Sequence, residues 1–153
     1  MDTEISHLLR IIKSCSQEAC KAVLGLDLTP EEPWVLVSRV ENTCEFGAMV
    51  GFANDHWFGA CTLGISAESA ESLLPHLSEE LIFDVLGELG NNLCGSLSSE
   101  PEFTAIYGIL EQTPPLFSRN SAWLAKSEGV QGNMTAQGHN VFVGCTLRSR
   151  GGR

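Results

Sequence analysis

From Ile5 to about Leu24 the apolar residues fall at Ile5, Leu8, Leu9, Ile12, Cys15, Ala19 and Val23. That three-and-four spacing predicts a long helix with one buried stripe. Pro30 and Pro33 end the pattern, since proline cannot continue a helix. Three runs then alternate or stay apolar over strand lengths, Trp34 to Val40, Cys44 to Ala53 and His56 to Ile65, with Asn54-Asp55 as the hairpin turn between the last two. Ser66 is the expected N-cap of a short helix over Ala67 to Leu77. Ser78 precedes a second long helix, from Glu79 to about Leu97, whose first turn carries Glu79 and Glu80 where carboxylates favour the helix dipole. Ser98 to Glu102 reads as a break, Phe103 to Leu110 fits helix or strand, and Thr113-Pro114-Pro115 forces a rigid extended segment. Strand patterns return over Ala122 to Lys126, Val130 to Thr135 and Asn140 to Leu147, with Gly138-His139-Asn140 as a turn. There is no long repeat, low-complexity block or linker. Consecutive strands on short turns predict one α+β domain over residues 1–153, a mainly antiparallel sheet with long helices packed against it. Residues 1–3 and 148–153 are expected as frayed tails.

The charge balance narrows the partners. The formal net charge is −10 over 153 residues and the sequence pI is near 4.7. Nucleic acid and anionic membrane both demand a basic face, and the one basic run is Arg148 to Arg153. A basic protein surface suits an acidic molecule better. No apolar run reaches the roughly 18 residues of a membrane span. The acidic start Met1-Asp2-Thr3-Glu4 lacks a secretory pattern, so a cytoplasmic chain is expected. The six cysteines contain no C-x-x-C pair, and Cys44, Cys61, Cys94 and Cys145 sit in apolar patterns, so they read as core thiols. The four histidines form no ligand pair, and no metal or cofactor is expected on this chain.

The second long helix holds the candidate chemistry. At about 100° per residue, Leu81, Ile82, Val85, Leu86, Leu89 and Leu93 gather on one face. Asp84, Glu88 and Asn91 fall within roughly 60° of one another on the opposite side. Asp84 and Glu88 are like charges one turn apart, a mildly unfavourable pair. Gly87, Gly90 and Gly95 each give up as much as about 1 kcal/mol of helix propensity; Gly87 and Gly95 lie toward the polar stripe, where they would admit another backbone. From pattern alone the stripe fits either a solvated face or a contact surface.

The stripe resembles the signature of the CheC/CheX-type chemotaxis phosphatases: Asp or Ser, three residues, Glu, two residues, Asn, twenty-two residues, Pro. Asp84, Glu88, Asn91 and Pro114 occupy all four positions. Glycine-containing apolar strands before the helix and apolar strands after the proline agree with it. A single copy of the motif is similar to the CheX branch. Asn92 follows Asn91 directly, but helix phase keeps Asn91 with Asp84 and turns Asn92 toward the apolar edge.

The resemblance implies a homodimeric fold of this α+β type and a substrate, the phosphorylated receiver domain of a CheY-like response regulator. An acyl phosphate is already activated, so its hydrolysis needs an in-line water more than an acid or base. Asn91, with donor and acceptor on one short side chain, would position that water. Glu88 would pair with a receiver lysine. Asp84, Gly87 and Pro114 would lie in the substrate contact, with Asp84 equally readable as an acid favouring the helix dipole and Pro114 fixing the loop. Mg²⁺ would belong to the receiver. No Ser/His/Asp order, G-x-S-x-G elbow or Walker loop supports another hydrolase. Two alternatives stay open: a receiver-binding module without hydrolysis, and a scaffold of the same fold.

Overall fold

Two turns of the chain explain why the strands pair as they do. Asn54 Oδ1 accepts from the backbone N–H groups of His56 and Trp57, both at 2.8 Å, which closes the first hairpin. Gln137 and Gly138 have φ of 54° and 78°, the left-handed pair that a tight two-residue hairpin requires. The second turn is therefore Gln137-Gly138, and His139 and Asn140, expected in the turn, already belong to the strand.

The computed structural model describes residues 3–120 and 127–151. The strand expected over Ala122 to Lys126 lies outside the described residues. In chain order the elements are α1 (Thr3–Leu24), β1 (Thr29–Val37), β2 (Phe46–Ala53), β3 (Trp57–Ile65), α2 (Ala67–Leu73), α3 (Glu79–Ser99), α4 (Pro101–Tyr107), β4 (Glu111–Gln112), β5 (Leu116–Arg119), β6 (Gly129–Ala136) and β7 (His139–Ser149). The fold is α+β, with one antiparallel sheet ordered β1-β6-β7-β3-β2, and β4 and β5 both on the outer edge of β2. One sheet face carries Val50, Leu63, Val130, Met134 and Val143. These bury against Ile12 and Ala19 of α1 and Leu86, Leu89 and Leu93 of α3.

Several expectations are corrected. β1 begins at Thr29 and runs through Pro30 and Pro33. As an edge strand it pairs with β6 alone, and its register shifts between Glu31 and Val35, so a missing ladder N–H is tolerated. The break after α3 shrinks to Glu100, because Pro101 opens α4 at the first helical position, where its missing N–H is harmless. Phe103 to Tyr107 is helix. α2 stops at Leu73, short of Leu77. Arg148 and Ser149 pair with Phe58 and Trp57, and Arg150 donates from its backbone N–H to His56 O at 2.8 Å and from Nε to Asn54 O at 2.7 Å. The described C-terminal residues are thus tied to the first hairpin through Arg150 and not frayed.

The sheet also carries a duplication that the sequence does not display. From the central β3/β7 pair, each direction reads a hairpin strand, its partner, then an edge: β7-β6-β1 one way, β3-β2-β5 the other. α1 packs on β1 and β6, and α3 on β5 and β2. The halves α1-β1-β2-β3 and α3-β5-β6-β7 are related by a topological two-fold. The β1–β2 connection crosses the face away from the helices, with Val40 N–H bonded to Ser127 O and Glu45 O accepting from Asn120 N–H, both at 2.9 Å. Val40 and Asn42, both fully buried, fit there because Gly144 and Gly64 carry no Cβ, which would run into Val40 Cγ1 and Asn42 Oδ1 respectively.

Candidate functional site

α3 starts where its sequence says it should. Ser78 Oγ accepts from Leu81 N–H at 3.3 Å, with Glu79 and Glu80 in the first turn. Arg119 of β5 forms an ion pair with Glu79, fastening the helix start to the sheet edge. Ile82, Leu86, Leu89, Leu93, Cys94 and Leu97 are buried. The apolar arc is narrower than the sequence suggests, since Leu81 is 47% exposed and Val85 half-buried.

The opposite side carries the predicted stripe. Asp84 and Glu88 are exposed and Asn91 is half-buried. No ion pair holds Asp84 or Glu88 among the described residues. Two concavities meet at Glu88 and Asn92. One, of about 510 Å³, is lined by Cys15 and Glu18 of α1 and by Glu88, Asn91, Asn92 and Gly95 of α3. The other, of about 400 Å³, lies toward the start of α3 and includes Val23, Leu77, Leu81, Asp84 and Val85. The stripe thus borders a groove whose far wall is α1.

Asn92 is not turned into the apolar edge: it is as half-buried as Asn91 and faces the groove on the α1 side. Asn91 remains in line with Asp84. A Cβ at Gly95 would meet nothing within 4 Å, so the helix surface is open there. Gly87 differs from its expectation. It is buried, and a Cβ there would stand 3.2 Å from the Phe117 ring and 3.3 Å from Pro115 Cγ. The chain's own β5 segment fills the space that Gly87 was expected to offer a partner. Pro114 is exposed, on the segment that begins with Thr113 N–H bonded to Gly51 O at 2.9 Å. Pro115, its neighbour, touches the helix.

Sequence reasoning missed Cys15 and Glu18 on the α1 wall. Cys15 is buried, and burial, then the carboxylates of Glu18 and Glu100, push its thiol up to about 12. Among the described residues no group of three His, Cys, Asp or Glu side chains is placed to hold a metal ion, and no described helix is long and apolar enough to cross a membrane.

The same backbone arrangement recurs in known structures. The crystal structure of CheX from Vibrio vulnificus superposes with a TM-score of 0.73 at 11% identity, covering 93% of this chain and 99% of that one. The chain has the CheX/CheC fold. A CheC-like superfamily protein from Shewanella sp. PV-4 matches with a TM-score of 0.71 at 13% identity, over 97% of this chain and 99% of that one. CheX from Borrelia burgdorferi, solved as a complex with CheY, BeF3 and Mg²⁺, matches with a TM-score of 0.69 at 15% identity, over 92% and 97%. No protein-family model matches the sequence, nor does any curated protein. In this chain the Asp84-Glu88-Asn91 stripe lies on α3, one of its two long helices.

Proposed function

We propose that this chain is a CheX-like phosphatase that hydrolyses the aspartyl phosphate of a CheY-like receiver domain. The observation that carries the reading is the placement of Glu88 and Asn91 as neighbours on an open helix face, on the fold of a protein crystallised with CheY. Asp84 and Pro114 complete the four-point signature around them.

In this mechanism Glu88 anchors the receiver by a charge-assisted bond to a lysine beside its phosphoryl group. Asn91 enters next to the phosphorus and orients a water, one amide atom accepting from it and the other donating. The water oxygen attacks in line, the bond from phosphorus to the aspartyl oxygen breaks, and inorganic phosphate and a free carboxylate result. The water's protons leave with the phosphate and solvent, so no group on this chain need act as a base. Mg²⁺ is held by the receiver and neutralises the phosphoryl oxygens. The working unit is a cytoplasmic homodimer, which sedimentation of the purified chain checks.

The experiment is the decay of radiolabelled receiver phosphate with wild type and Asn91→Ala side by side. Acceleration that the variant loses while still binding supports the reading. Binding without acceleration by wild type turns it into a receiver-docking module. Normal phosphate turnover by the Glu88→Ala, Asn91→Ala double variant, with assembly lost, points to a scaffold.

A further inference from the structure

The topological two-fold pairs α1 with α3, and the two helices carry the same polar rhythm. On α3 the stripe is Asp84, Glu88, Asn91; on α1, Ser14, Glu18 and Lys21 repeat the spacings of four and three, and all three are exposed. Glu18 and Glu88 line the same concavity from opposite walls, with Asn91 and Asn92 between them.

The charges around that concavity are left uncompensated. Nearby cations are engaged elsewhere: Lys21 Nζ lies 3.2 Å from Asp27 Oδ1, Lys13 Nζ lies 2.5 Å from Glu32 Oε1, Arg10 pairs with Glu102 and Arg119 with Glu79. Glu18, Asp84 and Glu88 form no ion pair among the described residues. Like charges across one groove are unfavourable in the free protein and favourable once a cationic surface fills it. A second copy of this chain, at a net charge of −10, is a poor occupant.

We propose that Glu18 is a docking residue of the Glu88/Asn91 site: it takes a lysine or arginine on the receiver's surface beside the phosphoryl pocket, while Glu88 takes the pocket's own lysine. This rests on the function proposed above. The two helices pack side by side, about 8–10 Å between axes, so a partner of ordinary footprint on Glu88 also covers Glu18. α1 contributes docking and no chemistry.

The test compares wild type, Glu18→Gln, Glu18→Lys, Glu88→Lys and, as a control of equal charge change, Glu71→Lys. Glu71 is exposed on α2 and lines neither concavity. Affinity for the receiver loaded with beryllium trifluoride and Mg²⁺ is read by calorimetry at low and high salt, and turnover of the phosphorylated receiver gives kcat and KM. Glu18→Gln should weaken binding and raise KM by about threefold, and Glu18→Lys by about tenfold or more. Either should flatten the salt dependence, with kcat within about twofold of wild type; Glu71→Lys should move far less. Wild-type affinity for Glu18→Lys, where Glu88→Lys loses it, overturns the assignment of Glu18 and leaves the phosphatase reading standing. Equal effects of Glu18→Lys and Glu71→Lys also overturn it, as general repulsion. Failure of wild type to bind any receiver overturns the proposed function itself.

Discussion

Gly87 lies under the ring of Phe117, where a Cβ would stand 3.2 Å from both Cε1 and Cζ. Phe117 also meets Phe83 of the same helix at 5.6 Å between ring centroids, and Phe83 meets Phe46 of β2 at 5.4 Å. The helix that carries Asn91 is thereby set against the sheet edge one turn before its polar stripe ends.

Gly87→Ala should be nearly neutral, because about 1 kcal/mol gained in helix propensity offsets the few tenths of an ångström that the Phe117 ring must give. Gly87→Val should cost about 1–3 kcal/mol from overpacking and slow receiver dephosphorylation by tilting α3 from β5. Urea midpoints and turnover on the same samples check both. A Val variant with wild-type stability would mean that β5 is not seated on Gly87.

Asn91→Ala should slow dephosphorylation of the receiver by about 100-fold and leave affinity for the beryllium trifluoride form within about threefold. Asn92→Ala should keep most of the rate. If Asn92→Ala proves the more damaging, the water-positioning amide has been assigned to the wrong one of the two.

Gly95→Ala should raise the melting temperature by about 3 °C, since the added methyl meets nothing and the helix gains about 1 kcal/mol. The same methyl stands on the open floor of the groove, so KM for the receiver should rise. Higher stability with unchanged KM would place the partner's backbone away from Gly95.

Above about pH 9 the protein should lose stability. Burial pushes the Cys20 thiol up to about 12, and burial with Glu45 pushes Cys44 up to about 11; Cys15 is likewise raised to about 12. In the unfolded chain these thiols ionise near their ordinary value of about 8.5. Between about pH 9 and pH 12 the unfolded state therefore binds fewer protons, and the folded state loses ground as pH rises. Below that window their contribution is fully present. Urea midpoints from pH 7 to pH 11 should fall along an alkaline limb, and Cys20→Ala should make that limb shallower. A limb unchanged in Cys20→Ala would assign it to other groups.

Gly64→Ala should cost about 1–3 kcal/mol, because its Cβ would run into Asn42, a fully buried side chain whose Oδ1 accepts Cys44 N–H at 2.9 Å. Gly138→Ala, open to solvent but at φ 78°, should cost about 1–2 kcal/mol of backbone strain alone. Chemical unfolding separates the two by whether Asn42→Ala relieves the first, as it should.

The amino-acid sequence by itself determined the two long helices, their serine caps, most of the strands and the grouping of Asp84, Glu88 and Asn91. All of these follow from periodicity and chemistry within a few residues of chain. The tertiary structure alone decided what each face meets. The polar stripe could be read from helix phase, but α1 as the opposite wall, with Glu18, lies some seventy residues back in the chain. Gly87 looked open because helix phase says where a residue points, not what comes to cover it. Asn92 looked turned away because the sequence does not say that α1 leaves a groove there. The strand glycines read as strand features; that they make room for Val40 and Asn42 follows only from the β1–β2 connection that crosses that face. The tail at Arg148 to Arg150 looked frayed because its bonds go to Asn54, His56 and Phe58, partners that no local pattern names.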